Sequence, residues 1–163
     1  MTKLNLACGS NYLKGYTNTD IDTSIKTDKR CDLGKIPYPF KDNEFNEIYC
    51  SNFIEHLTIT IPEFLLECKR ILNREGKLIL IFPNSWWWHC RLSFMFGSFL
   101  WKSHYSPYHF NQLVKPSWVK LVGKLIGFDV QEGKKCGGVS GFLFSNNLDL
   151  RESTAVLTLR KRG

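Results

Sequence analysis

The chain has 163 residues and a formal net charge of +7, with 43% of its residues apolar and 23% charged. That length fits one domain with a single core, and that balance excludes an intrinsically disordered chain. No apolar run is long or unbroken enough for a membrane-spanning helix, so no membrane span is expected.

The basic residues are spread along the chain, with one short RKR run at Arg160–Arg162. That pattern reads as a solvated surface; it permits a nucleic-acid partner without favouring one. The six cysteines, at 8, 31, 50, 68, 90 and 136, include no CxxC pair, so the usual zinc spacing is missing and no metal is expected. The opening MTKLNLACGS does not have the layout of a secretory leader. A cytoplasmic, reducing location is the expectation.

In chain order, Lys3 to Cys8 is a short apolar run with Asn5 inside it, and Gly9 breaks it. A second strand is expected in GYTNTDID, from Gly15 to Asp22. Parallel strands normally need a crossover of a dozen or more residues. This one is cramped, so any helix there has one or two turns at most. A third short strand is expected near Arg30 to Leu33, and a fourth from Phe45 to Cys50, after an extended path forced by Pro37 and Pro39.

Thr60-Ile61-Pro62-Glu63 has the composition of a helix start: a cap, a proline in the first turn and an acid reaching back. Ile61, Phe64, Leu65, Cys68, Ile71 and Leu72 then follow the three-four spacing of one buried face, and Gly76 is expected to stop the helix. Lys77 to Phe82 (KLILIF) reads as a strand covered on both faces. Ser85 to Phe110 is crowded with aromatics and shows no clean period. A second helix is expected from Pro116 to Ile126, with Gly127 as its stop. A strand at Phe128 to Val130, a glycine-containing loop from Gly133 to Asn147 and a final strand at Ala155 to Leu159 complete the chain.

Alternating strand and helix signals predict an α/β fold with a mostly parallel sheet. No helix signal separates the last two strands, so an antiparallel pair at the sheet's edge is expected. No repeat or linker divides the chain, which is read as one domain over residues 1–163 with an aromatic-rich insert at about 85–112.

Taken together, LNLACGS, TDID, CDLGKIPYPFKDNEFNEIYCSNFIEHL and LLECKRILNREGKLILIFPN resemble a class I S-adenosylmethionine-dependent methyltransferase of a compact branch. The resemblance covers about residues 3 to 84 and implies a Rossmann-like sheet with an abbreviated first helix and an antiparallel final strand. It implies S-adenosylmethionine as cofactor. The turn Ala7, Cys8, Gly9 and Ser10 would meet the methionine part. There Ala7 stands for a usual glycine, Asn5 for the usual first-strand acid and Asn11 for a further glycine. Gly9 has no side chain, so backbone can approach closely.

Asp20 matches the family's ribose acid, with Asp22 as a neighbour; a carboxylate accepts two hydroxyl protons together. Either aspartate alternatively caps the following turn. Asp32 and Leu33 match the adenine position, and a solvent-facing turn is the other reading of Asp32. Ser51 and Asn52, at the carboxyl end of the fourth strand, would line the methionine end.

Three histidines are candidates for proton transfer: His56 just past the fourth strand, and His104 and His109 in the insert. In the family the first of these is more often structural than chemical. The insert stands where the family hangs its acceptor-binding lid. A lid rich in Trp and Tyr stacks on a sugar, an aromatic ring or a lipid-like acceptor, or else simply packs on the sheet.

The leading reading is therefore methyl transfer to a small-molecule or glycan acceptor. Alternatives are a nucleic-acid or protein methyltransferase, against which SNFI stands where an NPPY-like motif would be, and a non-catalytic binding or interaction module on the same scaffold. The sequence carries no sign of oligomeric state.

Overall fold

The computed structural model describes residues 2–84, 86–87, 95, 114–133 and 154–162. Among the described residues seven strands and two helices follow one another as β1 (Lys3–Leu6), β2 (Thr17–Asp20), β3 (Lys29–Arg30), β4 (Phe45–Ser51), α1 (Ile61–Ile71), β5 (Leu72–Pro83), α2 (Pro116–Ile126), β6 (Phe128–Glu132) and β7 (Thr154–Lys161). A single 3-10 turn, Ile54–His56, sits between β4 and α1. The insert expected at 85–112 and the loop expected to Asn147 lie almost wholly outside the described residues.

The strands join in one sheet of order β3-β2-β1-β4-β5-β7-β6. From β3 to β5 all pairs are parallel. β7 runs antiparallel to both β5 and β6. The expected α/β sheet with an antiparallel final strand is what forms. Within the last pair, however, β6 holds the edge and β7 the inside. β7 earns no edge position because Ala155, Leu157 and Leu159 are buried, whereas β6 exposes Asp129, Gln131 and Glu132.

Helix α1 starts as its sequence dictates. The Thr60 hydroxyl accepts from the Glu63 N–H, and the Glu63 carboxylate accepts from the Thr60 N–H at 2.9 Å. Phe64, Leu65, Cys68 and Ile71 are fully buried against the sheet, and each large apolar side chain so buried contributes about 1.5–3 kcal/mol. The helix stops at Ile71, five residues before Gly76, the stop read from sequence. Leu72 turns extended to pair with Phe45, and that sheet contact overrides further helix.

β5 then makes an excursion. Phe45 and Glu47 are two apart on β4, but their partners Leu72 and Lys77 are five apart on β5. Glu75 takes φ +62° within it. Gly76 closes it because a Cβ there would lie 2.9 Å from Leu72 Cδ2 and 3.0 Å from the Asn73 carbonyl oxygen. Beyond it, Leu78, Leu80 and Phe82 are buried while Ile79 and Ile81 are half-buried, so KLILIF is covered unequally on its two faces.

Among the described residues α1 and α2 pack on the same side of the sheet. The β1–β2 crossover, residues 7–16, contains no helical turn at all. A polar network replaces the abbreviated helix expected there. The fully buried Asn18 accepts from the Leu13 N–H at 2.8 Å and donates to the carbonyls of Leu13 and Tyr16 at 3.0 and 2.9 Å. Asn5 donates to Asn18 Oδ1 and to the Asn11 carbonyl, both at 2.9 Å.

Candidate cofactor site at the switch point of the sheet

Strand order reverses between β1 and β4. β1 leads toward β2 and β3, whereas β4 leads toward β5. Open α/β sheets bind ligands outside the carboxyl ends of their strands at such a point. Here both flanking strands end on a left-handed residue: Ala7 after β1 at φ +48° and Asn52 after β4 at φ +51°. Leu6 and Cys50 are direct partners across the two strands, so the turns leave the sheet side by side. An L-residue with a side chain pays for such a φ with about 1–2 kcal/mol, and strain of this kind clusters at ligand sites.

The β1 turn is built around backbone. The Cys8 N–H donates to the Thr19 carbonyl, and the Asn11 N–H to the Cys8 carbonyl, each at 2.8 Å. Gly9 has φ +51°, and a Cβ added there would meet nothing within 4 Å. Open space therefore begins at the Gly9 backbone. Cys8 is buried; burial, then the nearby Asp20 carboxylate, pushes its thiol pKa up, which favours the neutral thiol packed in the turn.

Asp20, at the end of β2, joins this turn. Its Oδ2 accepts from the Gly9 N–H at 2.9 Å and its Oδ1 from the Asp22 N–H at 2.9 Å. Each oxygen keeps a second lone-pair direction, so the carboxylate retains capacity for hydroxyl donors. Asp22 is differently employed. Its Oδ1 accepts from the Ser24 hydroxyl at 2.7 Å and the Ser24 N–H at 2.8 Å, which together hold its pKa below the usual range. Arg30 clasps the same turn by donating to the carbonyls of Asp22, Thr23 and Ile25.

Asp32 and Leu33 follow β3. Asp32 receives Lys35 Nζ at 3.0 Å and the Gly34 N–H at 2.9 Å, and these contacts lower its pKa. Leu33 is buried, and its carbonyl accepts from the Tyr38 hydroxyl at 3.2 Å. Gly34 lies close under Thr58: a Cβ there would fall 2.4 Å from Thr58 Oγ1, so the threonine hydroxyl would have to turn away. That approach ties the Asp32 segment to the chain just past the 3-10 turn.

Ser51 ends β4 half-buried and Asn52 is exposed, its N–H donating to the Ile81 carbonyl at 2.7 Å. His56 lies half-buried in the 3-10 turn, its ring centroid 6.3 Å from that of Phe53. At the end of β5, the buried Asn84 accepts from the Trp86 N–H at 3.0 Å. His104 and His109 lie outside the described residues.

Two things were not visible in sequence. Ala7 is not merely a small residue; it is the left-handed corner. Asn5 and Asn18 hold the turn itself. A run of Asn and Asp at 5, 11, 18 and 28 was the only available signal, since Asp28 also accepts from the Asn18 N–H at 2.7 Å and the Tyr12 hydroxyl at 2.7 Å.

The arrangement matches known proteins. Residues 5–80 match the family described as a methyltransferase domain. A SAM-dependent methyltransferase from Archaeoglobus fulgidus superposes with a TM-score of 0.71 at 16% identity, over 98% of this chain and 86% of that one. The fold of this chain is the class I methyltransferase fold, and the family match covers just under half of the chain. The possible histamine N-methyltransferase from Thermotoga maritima superposes with a TM-score of 0.68 at 13% identity, over 99% and 82% of the two chains. An uncharacterized protein of Methanocaldococcus jannaschii is 33% identical over 92 residues, which span 50% of this chain and 40% of that protein.

The Archaeoglobus fulgidus neighbour is described as SAM-dependent, so S-adenosylmethionine is the group to fit against this site. The residues present fit it: open space at Gly9 where a side chain would intrude, a carboxylate beside it, and two strand ends at which the strand order reverses.

Proposed function

We propose that this domain transfers a methyl group from S-adenosylmethionine to a small-molecule or glycan acceptor. The observation that carries the reading is the Gly9–Asp20 contact at the switch point. A backbone N–H fixes the Asp20 carboxylate at 2.9 Å, and this supports its reading as the double acceptor for the ribose hydroxyls. In this reading Ala7, Cys8, Gly9 and Ser10 supply backbone to the methionine part, with Ser51 and Asn52 opposite. Asp20 takes the ribose, Asp22 stiffens the turn below it, and Asp32 with Leu33 receives the adenine.

The cofactor supplies an electrophilic methyl group on a sulfonium. The chain's own contribution is to bind, align and exclude water, which accounts for much of the rate in positioned two-reactant steps. His56 is the only histidine among the described residues. In this reading it removes a proton from acceptors that must lose one, with His104 and His109 as its counterparts in the lid. The solved neighbour described as a possible histamine N-methyltransferase supports a small-molecule acceptor. The four described cysteines are free and buried, which supports a reducing cytoplasm as the location.

Calorimetry with S-adenosylhomocysteine tests the site. The Asp20→Ala variant loses two charge-assisted hydrogen bonds to ribose, each about 1.5–3 kcal/mol, and so binds at least about 100-fold more weakly. Wild-type affinity in a folded Asp20→Ala variant contradicts the assignment. An acceptor screen with methyl-labelled cofactor then identifies the substrate class; label in RNA or protein, and none in small molecules or glycans, overturns the acceptor reading.

A further inference from the structure

The opposite pole of the sheet carries an unexplained row of charge. Register places Lys3, Glu47, Lys77, Arg160 and Asp129 side by side across β1, β4, β5, β7 and β6. Lys77 and Arg160 are thus direct neighbours of like sign, an arrangement that disfavours strand pairing. A cleft of about 450 Å³ opens beside them, lined also by Arg74 and Glu75 from the β5 excursion. A second cleft adjoins it through Glu75 and Arg160 and adds Lys161, Arg162 and Asp129. Six cations and three carboxylates line the two, an excess of three positive charges out of the chain's seven.

The charges divide by employment. Glu47 is buried and holds Lys77 at 2.8 Å and Lys3 at 3.8 Å, with the Tyr16 hydroxyl donating to it as well. Asp129 takes Arg162 at 2.6 Å. Lys161 donates to the Leu72 carbonyl at 2.6 Å and to Asn43, so it closes the end of α1. Its pKa is lowered by burial and by the cations Lys69 and Arg74, against the pull of Asp42, as expected where positive charge is crowded. Arg74 and Arg160 are exposed and make no ion pair with a described residue. Glu75, the remaining carboxylate, is held on the left-handed corner. The corner, the glycine behind it and the like-charged strand pair all cost stability, and together they present two uncommitted guanidinium groups over a cleft. Guanidinium forks match phosphate oxygens in geometry and charge.

We propose that this cleft is an anion site for a multivalent phosphate, bound by Arg74 and Arg160 with Lys3 and Lys77 behind them. It lies where β1 and β4 begin, at the end of the sheet away from Ala7 and Asn52, and is independent of the cofactor site. The row spans several inter-strand spacings of about 4.8 Å, long enough for more than one phosphate. The same chemistry comes from a free polyphosphate or from a nucleic-acid backbone, and the test separates them.

Calorimetry at low salt uses inorganic triphosphate in one arm and a short single-stranded RNA in the other. Wild type is expected to bind triphosphate, and the Arg74→Ser/Arg160→Ser variant to lose at least about tenfold in affinity. Both residues are exposed, and S-adenosylhomocysteine binding by the variant reports that the fold is retained. Binding of triphosphate alone identifies a free polyphosphate as the ligand. If RNA binds too, and the variant flattens its salt dependence by roughly 1.4 in log–log slope, the polymer is the source. The Lys14→Ser/Lys41→Ser variant removes the same net charge elsewhere and should bind as wild type does. No triphosphate binding by wild type, or an equal loss in that control, overturns the proposal.

Discussion

Replacing Asn5 by aspartate would install the first-strand acid that the resemblance to class I methyltransferases implies. The structure predicts that the change is damaging. Asn5 is 1% exposed, and its amide donates to Asn18 Oδ1 and to the Asn11 carbonyl, both at 2.9 Å. A carboxylate there donates nothing and faces two oxygen acceptors. Asn18 cannot rescue it by rotating its amide, because its Oδ1 already accepts from the Leu13 N–H and its Nδ2 serves Leu13, Tyr16 and Asp28. Two lost hydrogen bonds at about 1 kcal/mol each, plus a buried charge without a donor at about 1–3 kcal/mol, give a loss of about 3–5 kcal/mol for Asn5→Asp. With a urea slope near 2 kcal/mol per molar, the unfolding midpoint falls by about 2 M. The introduced carboxyl has a folded-state pKa raised above its unfolded value near 3.9. Its stability contribution is present below that unfolded value and is lost as pH rises through the folded one. The deficit is therefore largest at pH 7 and shrinks toward pH 4. Urea titrations of wild type and variant at both pH values measure it. Equal midpoints at pH 7, or a deficit that grows on acidification, refute the network as drawn.

The Ala7→Gly variant relieves a left-handed corner and should gain about 0.5–1 kcal/mol in urea unfolding, net of the greater freedom of glycine in the unfolded chain. Gly76→Ala should lose about 1–3 kcal/mol in the same assay, since its methyl would sit 2.9 Å from Leu72 Cδ2. For Glu67, burial pushes the carboxyl up, but hydrogen bonds from Arg70 and the Tyr38 N–H outweigh it and hold the pKa below the usual range. Its stabilisation is present above the unfolded pKa and disappears as pH falls through the lower folded value. Glu67→Gln should accordingly remove part of the acid-dependent loss of stability, read as a shallower fall in midpoint below about pH 4.

The half of the fold built by α1, β5 and α2 was legible because its signals are local. Thr60, Pro62 and Glu63 state a helix start within four residues, and the alternation of β7 is visible in Ala155, Leu157 and Leu159. The end of α1 was misplaced because Gly76 is a local stop signal, whereas the true stop comes from Leu72 pairing with Phe45, far back in the chain. Edge and inner positions of β6 and β7 depend on packing against β5, which no period encodes. In the site, Asp20 stood out as an acid at a strand end. The left-handed Ala7 did not, since alanine is not a turn residue and only the Cys8–Thr19 bond and the paired strand ends force it there.

This contrast has a physical basis. The β4–β5–β7 half is held by apolar side chains under two helices, a non-directional force that tolerates many sequences. The β1–β2 half has no helix in its crossover and is held by directional bonds among Asn5, Asn18, Asp28 and the 7–16 backbone. Directional bonds fix a turn accurately but contribute only about 1 kcal/mol each, so this turn opens at lower cost than the apolar half described above. It is also the part that carries Gly9 and contacts Asp20. A ligand gripping that turn stabilises it by mass action, since the opened form lacks the site. On the proposed assignment of Gly9 and Asp20, the order of this turn and cofactor occupancy are linked, and Asn18, which holds the turn, is the residue through which the linkage runs.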